Sequence, residues 1–256
     1  MELGLKGKVA AVTGASRGLG LAIARGLAAE GCRLSICARG EDRLATAAAE
    51  LSSTSADVMT QVVDVTAQGQ VERFIDSTAE RYGGLDIVVH NAGGASGGAA
   101  LDTPDDAYLQ GFGINVMPAL RAARAARPHM RRRGGGRIVF IASVYGRESG
   151  GRASYNVAKA AEIALARALG RELAPEGILV NAVAPGSLMF PGSSWERRQK
   201  EDPQGIAAFV KTDLPMGRFG KPEEVASVVV FLCSQQASLV TGACWTVDGG
   251  QSRSLI

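Results

Sequence analysis

The stretch V-A-A-V-T-G-A-S-R-G-L-G, residues 9–20, leaves a short apolar strand through three glycines and passes straight into A-I-A-R-G-L-A-A-E, residues 22–30, which reads as a helix. Each glycine answers a physical need of such a turn. Gly14 permits the tight bend, Gly18 lets backbone approach a pyrophosphate, and Gly20 lets the helix pack closely on the strand. Ser16, Arg17 and Leu19 complete the turn, and the helix start offers unpaired N–H groups and a positive dipole end to phosphate oxygens. Strand before and helix after are the context that dinucleotide binding requires. The spacing T-G-x-x-x-G-x-G is wider than the usual G-x-G-x-x-G, with three residues between the first two glycines.

Outward from this turn, apolar runs alternate with helical patterns. The runs near 8–13, 33–38, 59–64, 86–90, 137–142, 178–183 and 243–247 are short, rich in Val and Ile and mostly apolar throughout, as parallel strands covered on both faces should be. Segments 19–30, 41–52, 68–82, 103–113, 115–133, 154–174 and 222–235 carry helical periodicity between them. The alternation predicts an α/β fold: a Rossmann-type doubly wound parallel sheet of about seven strands with helices on both faces. No linker divides residues 1–256, so one domain is expected. Ligands of such sheets bind at the carboxyl ends of the strands, where Gly14, Asn91, Ser143 and Pro185 all fall.

A second signal is chemical. Tyr155 and Lys159 stand four residues apart in S-Y-N-V-A-K, with Ser143 twelve residues upstream at the end of R-I-V-F-I-A. Side chains at i and i+4 share a helix face, so ammonium and phenol can converge on one point. A phenol has an unperturbed pKa of about 10, and a nearby cation makes it a usable proton donor or acceptor. Ser143 offers a hydroxyl to the same point if its strand ends beside that helix.

Taken in order, Thr13 to Gly20, the D-V pair at Asp64 and Val65, N-A-G-G from Asn91, then Asn115, Ser143, Tyr155 with Lys159, P-G at Pro185 and Gly186, and V-D-G-G near the end resemble the short-chain dehydrogenase/reductase family over nearly the whole chain. The resemblance implies an enzyme that interconverts a carbonyl and a secondary alcohol with a nicotinamide cofactor. It implies a catalytic set of Ser143, Tyr155 and Lys159, with Asn115 supporting a water-linked proton path to the lysine. Asp64 and Val65 would hold the adenine, and Asn91, Ala92 and Gly93 would line the cofactor cleft. Tyr155 and Lys159 would also contact the cofactor, and Pro185 and Gly186 would sit beside the nicotinamide. In reduction Ser143 would hold the oxyanion and Tyr155 protonate it; in oxidation the phenolate would take the alcohol proton. A homotetramer paired through the long helices is implied as well, and the alanines of A-L-R-A-A-R-A-A and V-A-K-A-A-E-I-A-L-A suit close helix approach or internal packing.

Charge bears on the cofactor. An acid some 20 residues past the glycines would bind the ribose diol of NAD, whereas arginine there favours the added phosphate of NADP. The second strand, L-S-I-C-A-R, ends in Arg39 with no acid at Cys37 or Ala38, and Arg17 could close on the same phosphate from the other side. NADP(H) is therefore favoured over NAD(H). Glu41 and Asp42 follow closely enough to dilute the field.

The segment 187–219, beginning S-L-M-F-P-G-S-S-W, follows the P-G pair and is expected to form a substrate lid. Met189, Phe190 and Trp195 suggest an apolar or extended substrate, or else packing that closes the lid on the body. Met189 and Phe190 stand where the family often places a threonine on the cofactor amide, so that contact is not carried over. Within the family the resemblance is strongest to bacterial 3-oxoacyl carrier-protein reductases, through R-x-x-Y-N-V-A-K, G-R-F-G-K-P-E-E-V-A and T-G-A-C-W-T-V-D-G-G. An acidic acyl carrier would dock on basic residues, which Arg131, Arg132, Arg133 and Arg137 could provide. The same arginines equally suit a helix C-terminus, and Glu176 weakens a basic face.

Composition narrows the alternatives. With 46% hydrophobic residues and a formal net charge of +3, the chain has ample core and no aromatic-interleaved basic face for nucleic acid. No run approaches the ~18 apolar residues of a membrane span, and M-E-L-G-L-K-G-K is not a signal peptide, so a cytoplasmic protein is expected. Cys32, Cys37, Cys233 and Cys244 lack C-x-x-C pairing and lie far in sequence from His90 and His129, so no metal site is expected. His90 stands where the family usually has asparagine and reads as a cofactor-side hydrogen-bonding residue. A dinucleotide-binding regulator that had lost catalysis, or a lyase or isomerase on the same scaffold, would show damage to the Ser/Tyr/Lys/Asn set, and none is visible.

Overall fold

A computed structural model of the chain describes residues 2–53 and 57–255. Strand β1 (Val9–Thr13) is followed by α1 (Gly18–Ala29), β2 (Arg33–Ala38), α2 (Glu41–Ser52), β3 (Val58–Val62), α3 (Gln70–Tyr82) and β4 (Ile87–His90). The long helices α4 (Asp105–Arg132) and α5 (Ala153–Leu173) flank β5 (Gly136–Ile141), and β6 (Ile178–Pro185) leads to α6 (Ser194–Glu201), α7 (Pro203–Asp213), α8 (Pro222–Cys233) and β7 (Cys244–Val247). The strands form one sheet in the order β3-β2-β1-β4-β5-β6-β7, with every pairing parallel. The order reverses between β1 and β4, which opens a crevice at their carboxyl ends.

Period-2 alternation divides the core into two layers. Ala10, Val12, Ile36 and Val89 point to the face covered by α1, α2 and α8. Val9, Ala11, Val88 and Phe140 point to the face covered by α3, α4 and α5. Apolar residues at both parities explain why the strands read as continuous hydrophobic runs.

One expectation is revised. The helices anticipated at 103–113 and 115–133 are one continuous helix, α4. Gly111 sits where α5 crosses, and a side chain there would bring Cβ within 3.2 Å of the Ser154 carbonyl oxygen. Its glycine therefore serves close helix packing. The 187–219 segment contains α6 and α7, whose starts are capped by Ser193 accepting from the Glu196 amide and Asp202 accepting from the Gly205 amide. Among the described residues no helix is long and apolar enough to cross a membrane.

Candidate active site

The glycine turn joins β1 to α1 at the crevice. A Cβ on Gly20 would lie 2.3 Å from the Gly14 carbonyl oxygen, so the turn closes only without a side chain there. Arg17 at the N-cap of α1 provides no side-chain cap, which leaves the first-turn amides for a ligand. A cleft of about 770 Å³ opens at this turn, bounded by Arg39, Asp64, Val65, Asn91 and Phe190. Gly14, Ser16, Leu19, Ala92 and Gly93 also lie on its wall. Arg39 forms no ion pair among the described residues. Arg43, one turn into α2 and overlooked in the sequence reading, joins it on the wall, likewise without an ion pair. Its signal was its place four residues after Arg39. Arg17 also lies on the cleft wall and donates to the Gly192 carbonyl at 2.8 Å, which ties the turn to the lid. Asp64 is held by the Thr66 amide (2.9 Å) and hydroxyl (2.7 Å), bonds that lower its carboxyl below the ordinary range. Uncapped helix, glycine cradle and unpaired arginines together fit a dinucleotide carrying an additional phosphate.

Beneath the turn the Thr13 hydroxyl accepts the Asn91 and Ala92 amides at 3.0 and 3.1 Å. Its own proton is then directed to His90 Nδ1, 3.1 Å away, so Nε2 carries the ring proton. Burial, with the Lys159 charge behind it, pushes the His90 pKa down to about 3, and the ring is neutral. His90 thus supports the turn from inside the core instead of lining the cleft. Asn91 completes the junction by donating to the Thr13 and Gly14 carbonyls.

A second pocket of about 400 Å³ adjoins the cleft, with Ser143, Tyr155, Lys159, Pro185 and Gly186 on its wall. Ser143, 6% exposed, accepts the Tyr145 amide at 3.2 Å while its own O–H has no acceptor among the described residues. The short turn Val144–Gly146 rests on α5 because Gly146 is bare: a Cβ there would meet Lys159 backbone at 2.7 Å. That contact brings the end of β5 to the Tyr155 face. The Tyr155 hydroxyl also has no protein partner among the described residues. Lys159 Nζ lies 5.7 Å from the Tyr155 ring centroid and donates to the Ile141 carbonyl at 2.8 Å and to Glu162 Oε2 at 2.5 Å. Asn115 donates to the Gly94 and Gly111 carbonyls and accepts the Gly94 amide, so it clamps the N-A-G-G loop to α4. A Cβ on Gly93 would stand 2.6 Å from Asn115 Oδ1 and 3.3 Å from Lys159 Nζ, so this glycine keeps the space between them open.

Glu162 is the neighbour that sequence reading missed. Its position three residues after Lys159, in an otherwise alanine-rich helix, was the available sign.

The lid residues separate in role. Phe190 lies over Gly18 and lines the cleft, while Met189 contacts Ser193. Trp195 stacks on Phe209 at 4.7 Å and leans on Phe219 at 5.1 Å, reaching the pocket as the one residue of the three to do so. The arginines anticipated as a docking patch are engaged. Arg131 pairs with Glu176 at 3.6 Å, Arg133 with Asp86 at 3.2 Å, and Arg132 donates to His129. Arg137 is half-buried against backbone carbonyls. Burial raises the Cys32 and Cys37 thiols to about 12, and among the described residues no three His, Cys, Asp or Glu cluster as metal ligands.

A doubly wound sheet with a dinucleotide cleft opening onto a Ser/Tyr/Lys pocket defines a nicotinamide-dependent oxidoreductase. A family model described as enoyl-(acyl carrier protein) reductase matches residues 14–252. The chain is 37% identical to a protein of Streptomyces coelicolor named, provisionally, a ketoacyl reductase, over 95% of this chain and 96% of that one. L-sorbose reductase of Gluconobacter frateurii, solved with NADPH and L-sorbose, superposes with a TM-score of 0.94 at 35% identity over 100% of both chains. A variant of actinorhodin polyketide ketoreductase with NADPH gives 0.90 at 35% identity, covering 96% of this chain and 98% of that one. The chain belongs to the short-chain dehydrogenase/reductase family.

Proposed function

We propose that this enzyme reduces a ketone to a secondary alcohol with NADPH, through Ser143, Tyr155, Lys159 and Asn115. The observation that carries the reading is the pair of unpartnered hydroxyls, Ser143 and Tyr155, on one pocket that adjoins the arginine-walled cleft. Relatives solved with NADPH support the choice of cofactor. When bound, the nicotinamide supplies the hydride that the protein cannot.

The chain's own residues perform the remaining work. Ser143 spends its lone pair on the Tyr145 amide and keeps its proton for the substrate oxygen. Tyr155 delivers the proton that turns the oxyanion into a hydroxyl. Lys159 places a positive charge beside the phenol and, after its bonds to Ile141 and Glu162, has one N–H left for a cofactor ribose hydroxyl or a water. Asn115 holds the loop whose bare Gly93 leaves room for that water. Arg39 and Arg43 would hold the additional phosphate, Asp64 and Val65 the adenine, and Asn91, Ala92, Pro185 and Gly186 the dinucleotide and its nicotinamide end.

The chain acts as a single catalytic domain, with 187–219 as the lid. A 3-oxoacyl thioester is the first substrate class to try, in keeping with the ketoreductase relatives. The engaged arginines favour free thioesters over carrier-bound ones. Assembly into a homotetramer through α4 and α5 is supported by the exposed Leu109, Met117 and Val157 on those helices. A cytoplasmic location is consistent with four free cysteines. The test is NADPH oxidation, with NADH in parallel, against acetoacetyl thioesters, diketones, cyclic ketones and sugar ketones. Turnover that Tyr155→Phe abolishes supports the reading, and turnover that survives the substitution refutes the assigned proton donor.

A further inference from the structure

The pocket holding Ser143 and Tyr155 also carries Arg152 and Arg198 on its wall, and no Asp or Glu. Neither guanidinium has a hydrogen-bond or carboxylate partner among the described residues. The contrast within α6 is informative. Arg197 pairs with Glu201 at 3.9 Å and Lys200 with Glu196 at 3.5 Å, each one turn apart, while Arg198 faces the pocket and rests 5.0 Å above the Trp195 ring. Trp195 is wedged between Phe209 and Phe219, so the stack holds the guanidinium in place.

Arg152 comes from a different element, as the N-cap of α5. A cation at a helix N-terminus opposes the macrodipole, and α5 has no acid in its first turn to offset it. Helix end and guanidinium thus add positive potential at the same pocket, three residues from Tyr155. Three acids adjoin residues of this wall and each has its own donor: Glu162 accepts Lys159, while Glu148 and Asp213, which act on Tyr145, accept Ser252 and Arg253 and Thr212 respectively. Of the lid's apolar residues only Trp195 reaches this space, which removes the main argument for a purely apolar substrate.

We propose that the ketone bears an anionic group, a carboxylate or a phosphate, which Arg152 and Arg198 bind while Ser143 and Tyr155 engage its carbonyl. This rests on the assignment of the Ser143/Tyr155 pocket as the reducing site. Two unpaired guanidiniums on one pocket give such an anion charge-assisted hydrogen bonds that a neutral analogue cannot make. They also enforce one orientation of the carbonyl in the pocket.

The test compares matched substrates under NADPH: 2-, 3- and 4-oxo acids against their methyl esters, and keto phosphates against the corresponding dephosphorylated ketones. Intact enzyme should show at least tenfold higher kcat/KM for the anionic member of one series, chiefly through KM, and the series that responds tells carboxylate from phosphate. Arg152→Gln and Arg198→Gln should each cut that anionic-to-neutral ratio about tenfold. Equal use of both members, or a ratio unmoved by either substitution, overturns the proposal and leaves the reductase reading intact. Turnover that persists in Tyr155→Phe would instead refute the reducing-site assignment. Calorimetric titration of enzyme loaded with the oxidised cofactor, NADP+, which cannot reduce a ketone, with the same acids, esters and phosphates decides the matter without turnover. Anion binding lost in the double glutamine variant supports the proposal, and no preference for the anion overturns it. Melting temperatures of both variants, each altered at an exposed side chain, confirm that they fold.

Discussion

Lys159 and Glu162 form a buried ion pair inside α5, with 2.5 Å between Nζ and Oε2 and side chains 3% and 0% exposed. Burial lifts the Glu162 carboxyl to about 7, against a smaller opposing pull from Lys159. Burial is the largest single influence and works against the Lys159 charge too, but Glu162 and Tyr155 together outweigh it and the ammonium is held above its ordinary range. The carboxyl therefore ionises late, and once ionised it secures the lysine's charge. Glu162 Oε1 has no hydrogen-bond partner among the described residues, an unusual cost for a buried oxygen. A site that tolerates it keeps a proton-accepting group one side chain behind Tyr155's cation.

Glu162→Gln should remove a titration near neutrality from kcat/KM. His90 cannot supply that titration, because its pKa lies at about 3. The same group sets a stability trend. Its folded pKa lies above the unfolded value of 4.5, so its contribution is complete below that value and is lost as pH rises through about 7. Unfolding midpoints of the native enzyme should therefore fall between about pH 5 and pH 8 more steeply than those of Glu162→Gln. Identical slopes, together with an unchanged inflection in kcat/KM, would show that the carboxyl does not titrate in this range.

Thr13→Val is the sharpest probe of the junction below the glycine turn. It removes the acceptor for the Asn91 and Ala92 amides and the donor to His90 Nδ1 while nearly preserving volume. Leaving buried polar groups unsatisfied costs roughly 1–3 kcal/mol. A loss of that size in denaturant unfolding is expected, with weaker NADPH binding because the loop from Asn91 forms the cleft wall. Thr13→Ser, which keeps the hydroxyl, should recover most of both.

The readable parts of this molecule were those fixed by local pattern. β1, its glycine turn and the Tyr155/Lys159 face follow from strand and helix periodicity, and all seven strands fall within a few residues of expectation. What sequence left open depended on which elements meet. Segments 103–113 and 115–133 read as two helices but are one, α4, whose Gly111 makes room for α5 at Ser154. Met189 and Phe190 read equally as substrate contacts or as lid packing, and they are found packed on Ser193 and Gly18. Arg131, Arg132, Arg133 and Arg137 read equally as a docking patch or as charges at a helix C-terminus, and the fold brings Glu176, Asp86 and His129 beside the first three. Glu162 and Arg198 gave no pattern of their own, since an acid or an arginine on a helix is most often a solvated face.

Arg39→Asp should reverse the cofactor preference. Arg39 and Arg43 stand on the cleft wall without ion pairs, and the first-turn acids of α2, Glu41 and Asp42, are not on that wall. A charge-assisted bond to phosphate is worth about 1.5–3 kcal/mol, so kcat/KM for NADPH should drop roughly 10- to 100-fold, with NADH affected far less. Arg43→Ala should give a smaller loss in the same direction. If both substitutions weaken NADPH and NADH equally, the arginines are not reading the additional phosphate.

Gly20→Ala tests the closure of the turn itself. The new methyl carbon would fall 2.3 Å from the Gly14 carbonyl oxygen and 2.5 Å from Asn91 Nδ2, and the first of these atoms is backbone that cannot swing aside. Either α1 lifts from β1 or the turn opens, and overpacking of this kind typically costs about 1–3 kcal/mol. Because the lifted helix also withdraws its uncapped first turn, binding should suffer beyond the loss of stability. The expected result is a lower unfolding midpoint together with at least tenfold weaker NADPH binding measured where the variant is fully folded. Gly113→Ala provides the contrast: it lies inside α4, nothing among the described residues is within 4 Å of a Cβ built there, and alanine suits a helix interior, so it should not lower the unfolding midpoint. Equal behaviour of the two variants would mean that close approach at Gly20 is not what shapes the phosphate cradle.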